Sequence, residues 1–404
     1  MKPNRLIRFS IYQLLVRPTA GMSQLLFIII ISKYLIGSDL MDALYLLSLG
    51  VFFIFLDFGT LFNAYREASI NLHSSSQIKH FIIAKYQRQS LFISGINFLI
   101  SIPLLLQPTT FLVGIYIAIT AFTIPGLVSM HLLRGFGKDF YFTILFNLSW
   151  PISLFFLVLI NPQTEWQAFD LKYLALLPSL STIICGLFAI IACGKLKSTP
   201  AKINIDLNKN TGHRIGPIFV VISGALAFQI DKIFVIRAFN PPESENYLVC
   251  GILMFSTITS ITAVGSIAWG SNLSSNYAKY NFHLKDFTII GAIGSSAYLF
   301  GMIILKKIEL IVFELNYPLL IIFLFTIIIY VLIIILQAFA TFKNLYSLNF
   351  KGNLIQILTI IVMSTALQNS LTINLLAIVV ASAACLNLTY LVVKTRDLIS
   401  LARN

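Results

Sequence analysis

Twelve apolar stretches follow one another almost end to end along this chain, and the Lys and Arg between them fall on alternate connections. No other feature constrains the fold as strongly. A helix needs roughly 20 apolar residues to cross the hydrocarbon of a bilayer. On that length the stretches are residues 13–35, 42–64, 89–107, 111–133, 140–160, 172–193, 216–238, 247–269, 287–305, 318–342, 353–370 and 372–393. Two pairs are parted only by tight hairpins, Gln107-Pro108-Thr109-Thr110 and Gln368-Asn369-Ser370. Composition agrees: 58% of residues are hydrophobic, 11% are charged, and the mean hydropathy is +0.88. A soluble domain carries about 25% charged residues. The expected fold is an all-α polytopic membrane protein of about twelve transmembrane helices.

The basic residues set the expected orientation. Of the 28 Lys and Arg, only Lys33, Lys172, Arg237, Lys306 and Lys307 fall on one side, and Arg17 and Lys232 lie inside spans. All the others sit on the opposite side, which the positive-inside rule makes cytoplasmic, with both termini. Acids lean outward, at Asp39, Asp42, Glu165, Asp170, Glu243, Glu245, Glu309 and Glu314. The net charge of +13 is therefore a topology signal. It does not indicate nucleic acid, because the cations form no dense patch. The first span is too long for a signal-peptide core and holds Arg17 and Pro18. Cys185, Cys193, Cys250 and Cys385 all lie in spans without metal or disulfide spacing, so neither metal nor cofactor is expected. The five histidines read as solvated residues on or near cytoplasmic loops. Short loops leave no room for a soluble catalytic domain, and neither GxxxxGK[ST] nor HExxH occurs, so no catalytic residues are assigned.

A polar connection at 194–215, with Pro200 and a Lys-rich face, divides the chain into an N-terminal six-helix lobe (1–193) and a C-terminal one (216–404). The lobes are expected to surround a central cavity. They echo each other faintly: Gly21 to Tyr45 and Gly224 to Tyr247 each span an apolar run and an acidic loop. A parallel repeat of this kind places a site between two bundles.

Ionisable groups inside spans cost roughly 2.5–3.5 kcal/mol each, so they face a cavity or a partner. Arg17 and Asp57 lie at similar depths on consecutive spans, either as a structural ion pair or as a cavity-lining cation and a titrating carboxylate. Asp231 and Lys232 lie near the middle of the seventh span, on different faces because adjacent helical positions diverge by about 100°. Lys232 can snorkel outward, whereas Asp231 cannot and is expected to face the cavity. Gln229 joins them as a pathway candidate. Arg66, Glu67 and Arg134 mark the cytoplasmic mouth, where Glu67 also reads as a solvated helix end. Pro18, Pro125, Pro151, Pro178 and Pro217 interrupt or open helices.

Leu56-Asp57-Phe58-Gly59-Thr60, then Asn63-Ala64-Tyr65-Arg66-Glu67-Ala68, resembles the end of the second span in polysaccharide flippases of the multidrug/oligosaccharidyl-lipid/polysaccharide exporter superfamily. Phe228-Gln229-Ile230-Asp231-Lys232-Ile233, with Tyr247 beyond an acidic loop, resembles the start of their second half. The turn Arg134-Gly135-Phe136-Gly137-Lys138 fits as well. The resemblance covers the whole chain and implies a flippase of the O-antigen type in the bacterial inner membrane. Its implied cargo is an undecaprenyl-pyrophosphate-linked glycan repeat unit, and its implied partners are the polymerase and chain-length regulator of the same pathway. It further implies ion-coupled alternating access, with Arg17, Asp57, Asp231 and Lys232 as candidates. Two in-span cations are fewer than a strongly cationic cavity suggests, which fits a neutral repeat unit or a lining of Gln, Asn and Tyr. Trp150 falls mid-span, placed for packing, for lipid or for stacking on a sugar. The alternatives are a drug or cation antiporter of the same superfamily and an O-antigen polymerase, an enzyme. The short, His-free outer loops disfavour the enzyme.

Overall fold

The computed structural model describes residues 3–35, 38–49, 57, 59–72, 74–160, 171–196, 216–240, 243–244, 246–251, 253–254, 257–258, 284–307, 316–342 and 345–401. Among these, every regular element is helical. The helices are α1 (Pro3–Tyr34), α2 (Ser38–Leu49), α3 (Thr60–Ile70), α4 (Ser76–Leu105), α5 (Phe111–Gly135), α6 (Asp139–Asn147) and α7 (Ser149–Ile160). They continue as α8 (Leu177–Gly194), α9 (Gly216–Ala238), α10 (Leu284–Lys307), α11 (Tyr317–Phe342), α12 (Tyr346–Ala366) and α13 (Ile373–Leu401). Six helices among the described residues are long and apolar enough to cross a membrane: Ser76–Leu105, Phe111–Gly135, Asp139–Ile160, Lys172–Gly194, Tyr317–Gln337 and Ile373–Thr395. The chain is an all-α multi-pass membrane protein.

Most elements follow the apolar runs. α9 coincides with the expected 216–238, and the two tight hairpins are 3-10 turns, Pro108–Thr110 and Gln368–Ser370. Thr110 closes the first by donating its hydroxyl to the Leu104 carbonyl at 2.9 Å. Pro151 opens α7 and Pro178 opens α8, positions where a missing N–H costs least. The run 42–64 behaves differently. α2 covers Ser38–Leu49, residues 50–56 and 58 lie outside the described residues, a turn includes Asp57 and Gly59, and α3 starts at Thr60 and runs on to Ile70. Most of the eighth run and nearly all of the 194–215 connection lie outside the described residues.

The chain forms two compact units. One comprises Met1–Leu14, Ile28–Ser48 and Ile222–Asn404; the other comprises Leu15–Phe27 and Leu49–Val221. Lipid tails are as apolar as leucine, so close packing and polar contacts must hold helices together within each unit. In the second unit α5 is the central element, with α3, α4 and α8 against it. Ile124, Val128 and Leu132 of α5 join Ile82 and Ile83 of α4 and Cys185, Ala189 and Cys193 of α8 in one buried cluster. The α5–α8 crossing is made at glycine: a Cβ on Gly186 would stand 2.8 Å from the Gly126 Cα. Neither position has room for a side chain. Hydroxyls and thiols add specific ties. Ser153 Oγ donates to Ser181 Oγ at 2.9 Å, joining α7 to α8, and Cys193 Sγ donates to the Ser129 carbonyl at 3.3 Å.

In the first unit α10, α12 and α13 pack on α11. A Cβ on Gly291 would meet the Ile328 Cα at 3.3 Å, and Ser295 Oγ donates to the Leu324 carbonyl at 2.9 Å. Cys185, Cys193 and Cys250 are buried thiols, as small packing residues should be, whereas Cys385 is exposed.

Candidate functional site: polar groups buried in the two units

Asp57 is 2% exposed and its carboxylate caps α3. Oδ1 accepts from the Gly59 N–H at 3.2 Å, and Oδ2 accepts from the Leu61 N–H at 2.8 Å. Gly59 reaches the left-handed region at φ 73°, which glycine adopts at little cost, and this turns the chain back onto the cap. A helix start buried in a membrane protein leaves backbone donors that no water can satisfy. Asp57 supplies two of the acceptors needed there.

Glu67, about one turn from the end of α3, is tied into the unit and is not simply solvated. Its Oε2 accepts from Lys85 Nζ and from the Tyr86 hydroxyl, both at 2.7 Å and both from α4. Arg134, at the C-terminal end of α5, stands between two rings: its Cζ lies 4.9 Å from the centre of Tyr65 and 5.0 Å from that of Phe142. The turn after it is a Schellman motif, in which Gly137 (φ 72°) donates to the Arg134 carbonyl at 3.0 Å and Lys138 donates to the Leu133 carbonyl at 2.8 Å. Gly135 permits this arrangement, since a Cβ there would lie 2.7 Å from the Tyr65 carbonyl. The structure therefore brings Arg134, Tyr65 and its neighbours Arg66 and Glu67 to one end of this unit. Arg17 and Trp150 belong to the same unit. Arg17 lies in α1, and its side chain is outside the described residues, while Trp150 packs edge-on against buried Phe27, ring centres 5.7 Å apart.

The first unit holds the other candidates. Asp231 is 5% exposed, and its Oδ2 accepts from the Tyr247 hydroxyl at 2.8 Å. Its Oδ1 has no partner among the described residues. Tyr247 is held edge-on by Phe323, ring centres 5.3 Å apart. Lys232 does not pair with its neighbour; its Nζ turns one helical turn back and donates to the Phe228 carbonyl at 3.0 Å. It is 3% exposed, so it is buried rather than snorkelled to a surface. Gln229 is equally buried, with its Oε1 unpartnered among the described residues.

A larger polar assembly in the same unit was not singled out from the sequence. Gln356 of α12 donates through Nε2 to the Tyr330 hydroxyl at 2.8 Å and to the Ala227 carbonyl at 3.0 Å, and its Oε1 accepts from Asn387 Nδ2 at 2.9 Å. One turn earlier, Asn353 donates to Ser223 Oγ at 3.0 Å and accepts from Gln337 Nε2 at 2.6 Å. Asn349 then donates to the Gln337 carbonyl at 2.8 Å. Asn349, Asn353 and Gln356 fall at i, i+4 and i+7, a single helical face, and that spacing was the available signal. This face joins α12 to α9, α11 and α13.

The fold is similar to that of MATE family transporters. Over 96% of this chain and 93% of the other, it superposes on an outward-facing multidrug resistance MATE family transporter of the MOP superfamily, with a TM-score of 0.62 at 14% identity. An inward-facing MATE family transporter of the same superfamily is similar over 94% and 95% of the two chains, with a TM-score of 0.60 at 12% identity. The MATE multidrug transporter DinF-BH is similar over 98% and 96%, with a TM-score of 0.61 at 15% identity. No family model matches the sequence, and neither does any curated relative.

Proposed function

We propose that this chain is a transporter of the multidrug/oligosaccharidyl-lipid/polysaccharide exporter superfamily that moves lipid-linked oligosaccharide repeat units across the bacterial inner membrane. The observation that carries the transport reading is the MATE fold, present along nearly the whole chain. The cargo reading rests on the flippase-like stretches around Asp57 and Asp231 and on the turn at Arg134. A sugar headgroup cannot enter hydrocarbon without its hydroxyls losing water, and unpaired polar groups there are expensive. A wet path through the protein lowers that cost while the polyprenyl tail stays in lipid. In this reading both termini are cytoplasmic, the cargo is an undecaprenyl-pyrophosphate-linked glycan, and a polymerase and chain-length regulator act on the product. An ion gradient or removal of product drives the cycle, with Arg17, Asp57, Gln229, Asp231 and Lys232 as the pathway candidates. A drug antiporter is the second reading, favoured by the likeness of the fold to multidrug transporters.

A deletion strain separates the two. Flipping predicts single repeat units accumulating on the cytoplasmic leaflet, and loss of the surface glycan. An unchanged surface glycan together with sensitivity to cationic dyes would overturn the glycan reading in favour of the antiporter.

A further inference from the structure

The guanidinium of Arg134 is positioned but unused. Rings flank it at 4.9 and 5.0 Å, which fixes where it points, yet among the described residues its five N–H donors have no hydrogen-bond or ion-pair partner. It is not needed as a helix cap, because the backbone N–H groups of Phe136, Gly137 and Lys138 already take the carbonyls of Leu132, Arg134 and Leu133. No salt bridge joins it, among the described residues, to Asp139, the acid that opens α6 just beyond the same turn. Glu67, the carboxylate two residues beyond Tyr65, is engaged by Lys85 and Tyr86. Arg66 follows Tyr65 in α3 and Lys138 follows the same turn; neither has a side-chain hydrogen bond or ion pair among the described residues. Arg66 and Arg134 are partly exposed and Lys138 is exposed. A charge that serves topology alone needs only water. A planar fork held between aromatic rings, with its donors free and further cations close in the chain, is what bidentate phosphate recognition requires.

We propose that Arg134, assisted by Arg66 and Lys138, binds the phosphate of a lipid headgroup at this end of the unit. Tyr65 and Phe142 are positioning residues that keep the fork aimed. The inference concerns the headgroup alone and stands whether the cargo is a glycan or a drug.

The test uses the full-length protein in nanodiscs. Two probes report: farnesyl diphosphate titrated into phosphatidylcholine discs, and retention of phosphatidylglycerol in mixed discs, read by native mass spectrometry. Arg134→Gln is expected to weaken binding of at least one probe about tenfold, equivalent to about 1.4 kcal/mol. Arg134→Lys keeps the charge but loses the fork, and falls between. Tyr65→Leu, which leaves every charge in place, should weaken the same probe by less. A loss confined to farnesyl diphosphate assigns the site to a diphosphate-bearing cargo; a loss confined to phosphatidylglycerol assigns it to bulk anionic lipid. If Arg134→Gln and Arg134→Lys both bind the two probes as tightly as the parent at unchanged melting temperature, the proposal is wrong. Should Arg134→Gln fail to fold, Arg134→Lys alone decides.

Discussion

Replacing Gln356 by alanine isolates the polar assembly of the C-terminal part of the chain. The side chain is 1% exposed and makes three hydrogen bonds, to Tyr330, to the Ala227 carbonyl and from Asn387, so it links α12 to three other helices. Hydrogen bonds between membrane helices are worth about 0.6 kcal/mol on average. Three of them give roughly 2 kcal/mol, and the cavity left by a buried side chain adds on the order of 1–2 kcal/mol. Gln356→Ala should therefore lose about 3–4 kcal/mol against unfolding. Gln356→Met refills the volume without the bonds and should recover the cavity part only. The assay is reversible unfolding of purified protein in mixed detergent micelles, followed by circular dichroism. Equal stability of parent and Gln356→Ala, within about 0.5 kcal/mol, would show that these bonds have no net value in the folded state.

Gly126→Val drives a branched side chain into the Gly186 backbone and should cost at least about 1–3 kcal/mol in the same assay; Gly95→Ala, with nothing within 4 Å of the new Cβ, should be neutral. Asp57→Ala removes both cap acceptors, so it should destabilise by about 1 kcal/mol and speed hydrogen exchange at the Gly59 and Leu61 amides. Slow exchange retained at both amides would refute the cap. Asp231→Asn should impair export of the surface glycan at equal membrane abundance, since this buried carboxylate carries an oxygen unpartnered among the described residues; unimpaired export removes it from the pathway. Tyr247→Phe strips Asp231 of its one donor among the described residues and should lower stability by roughly 1–3 kcal/mol, measured by unfolding.

Hydropathy and alternation of charge revealed the helices because a bilayer makes length and apolarity obligatory along every span. The same criterion hid the break before Thr60. A buried Asp and a Gly inside an apolar run look like charge in a span, and nothing in their hydropathy distinguishes a helix cap from a cavity-facing carboxylate. Glu67 was misjudged for a related reason: its partners, Lys85 and Tyr86, lie on the next helix and meet it only after folding. Arg134 was legible as a member of the turn Arg134–Lys138, but not its two rings, since Tyr65 and Phe142 come from either side of it in sequence. The amide face of α12 was legible in principle. Residues 349, 353 and 356 share a helical face, but single Asn and Gln residues disturb an apolar run less than charges do.

That face has a consequence for how the protein is made. α12 is not among the six helices apolar enough to cross a membrane by composition alone. Presented singly to the insertion machinery, it would carry Asn349, Asn353 and Gln356 into lipid without partners. Gln337 precedes it in α11, and Asn387 follows it in α13, well past the 3-10 turn Gln368–Ser370. Synthesis order thus matters: α12 should wait in the translocon beside α11, where Gln337 matches Asn349 and Asn353, and leave once α13 brings Asn387 to Gln356. Nascent chains cut before Ile373 and extended by a polar tether long enough to span the ribosomal tunnel should keep α12 crosslinked to the translocon, whereas equally tethered chains that include all of α13 should release it.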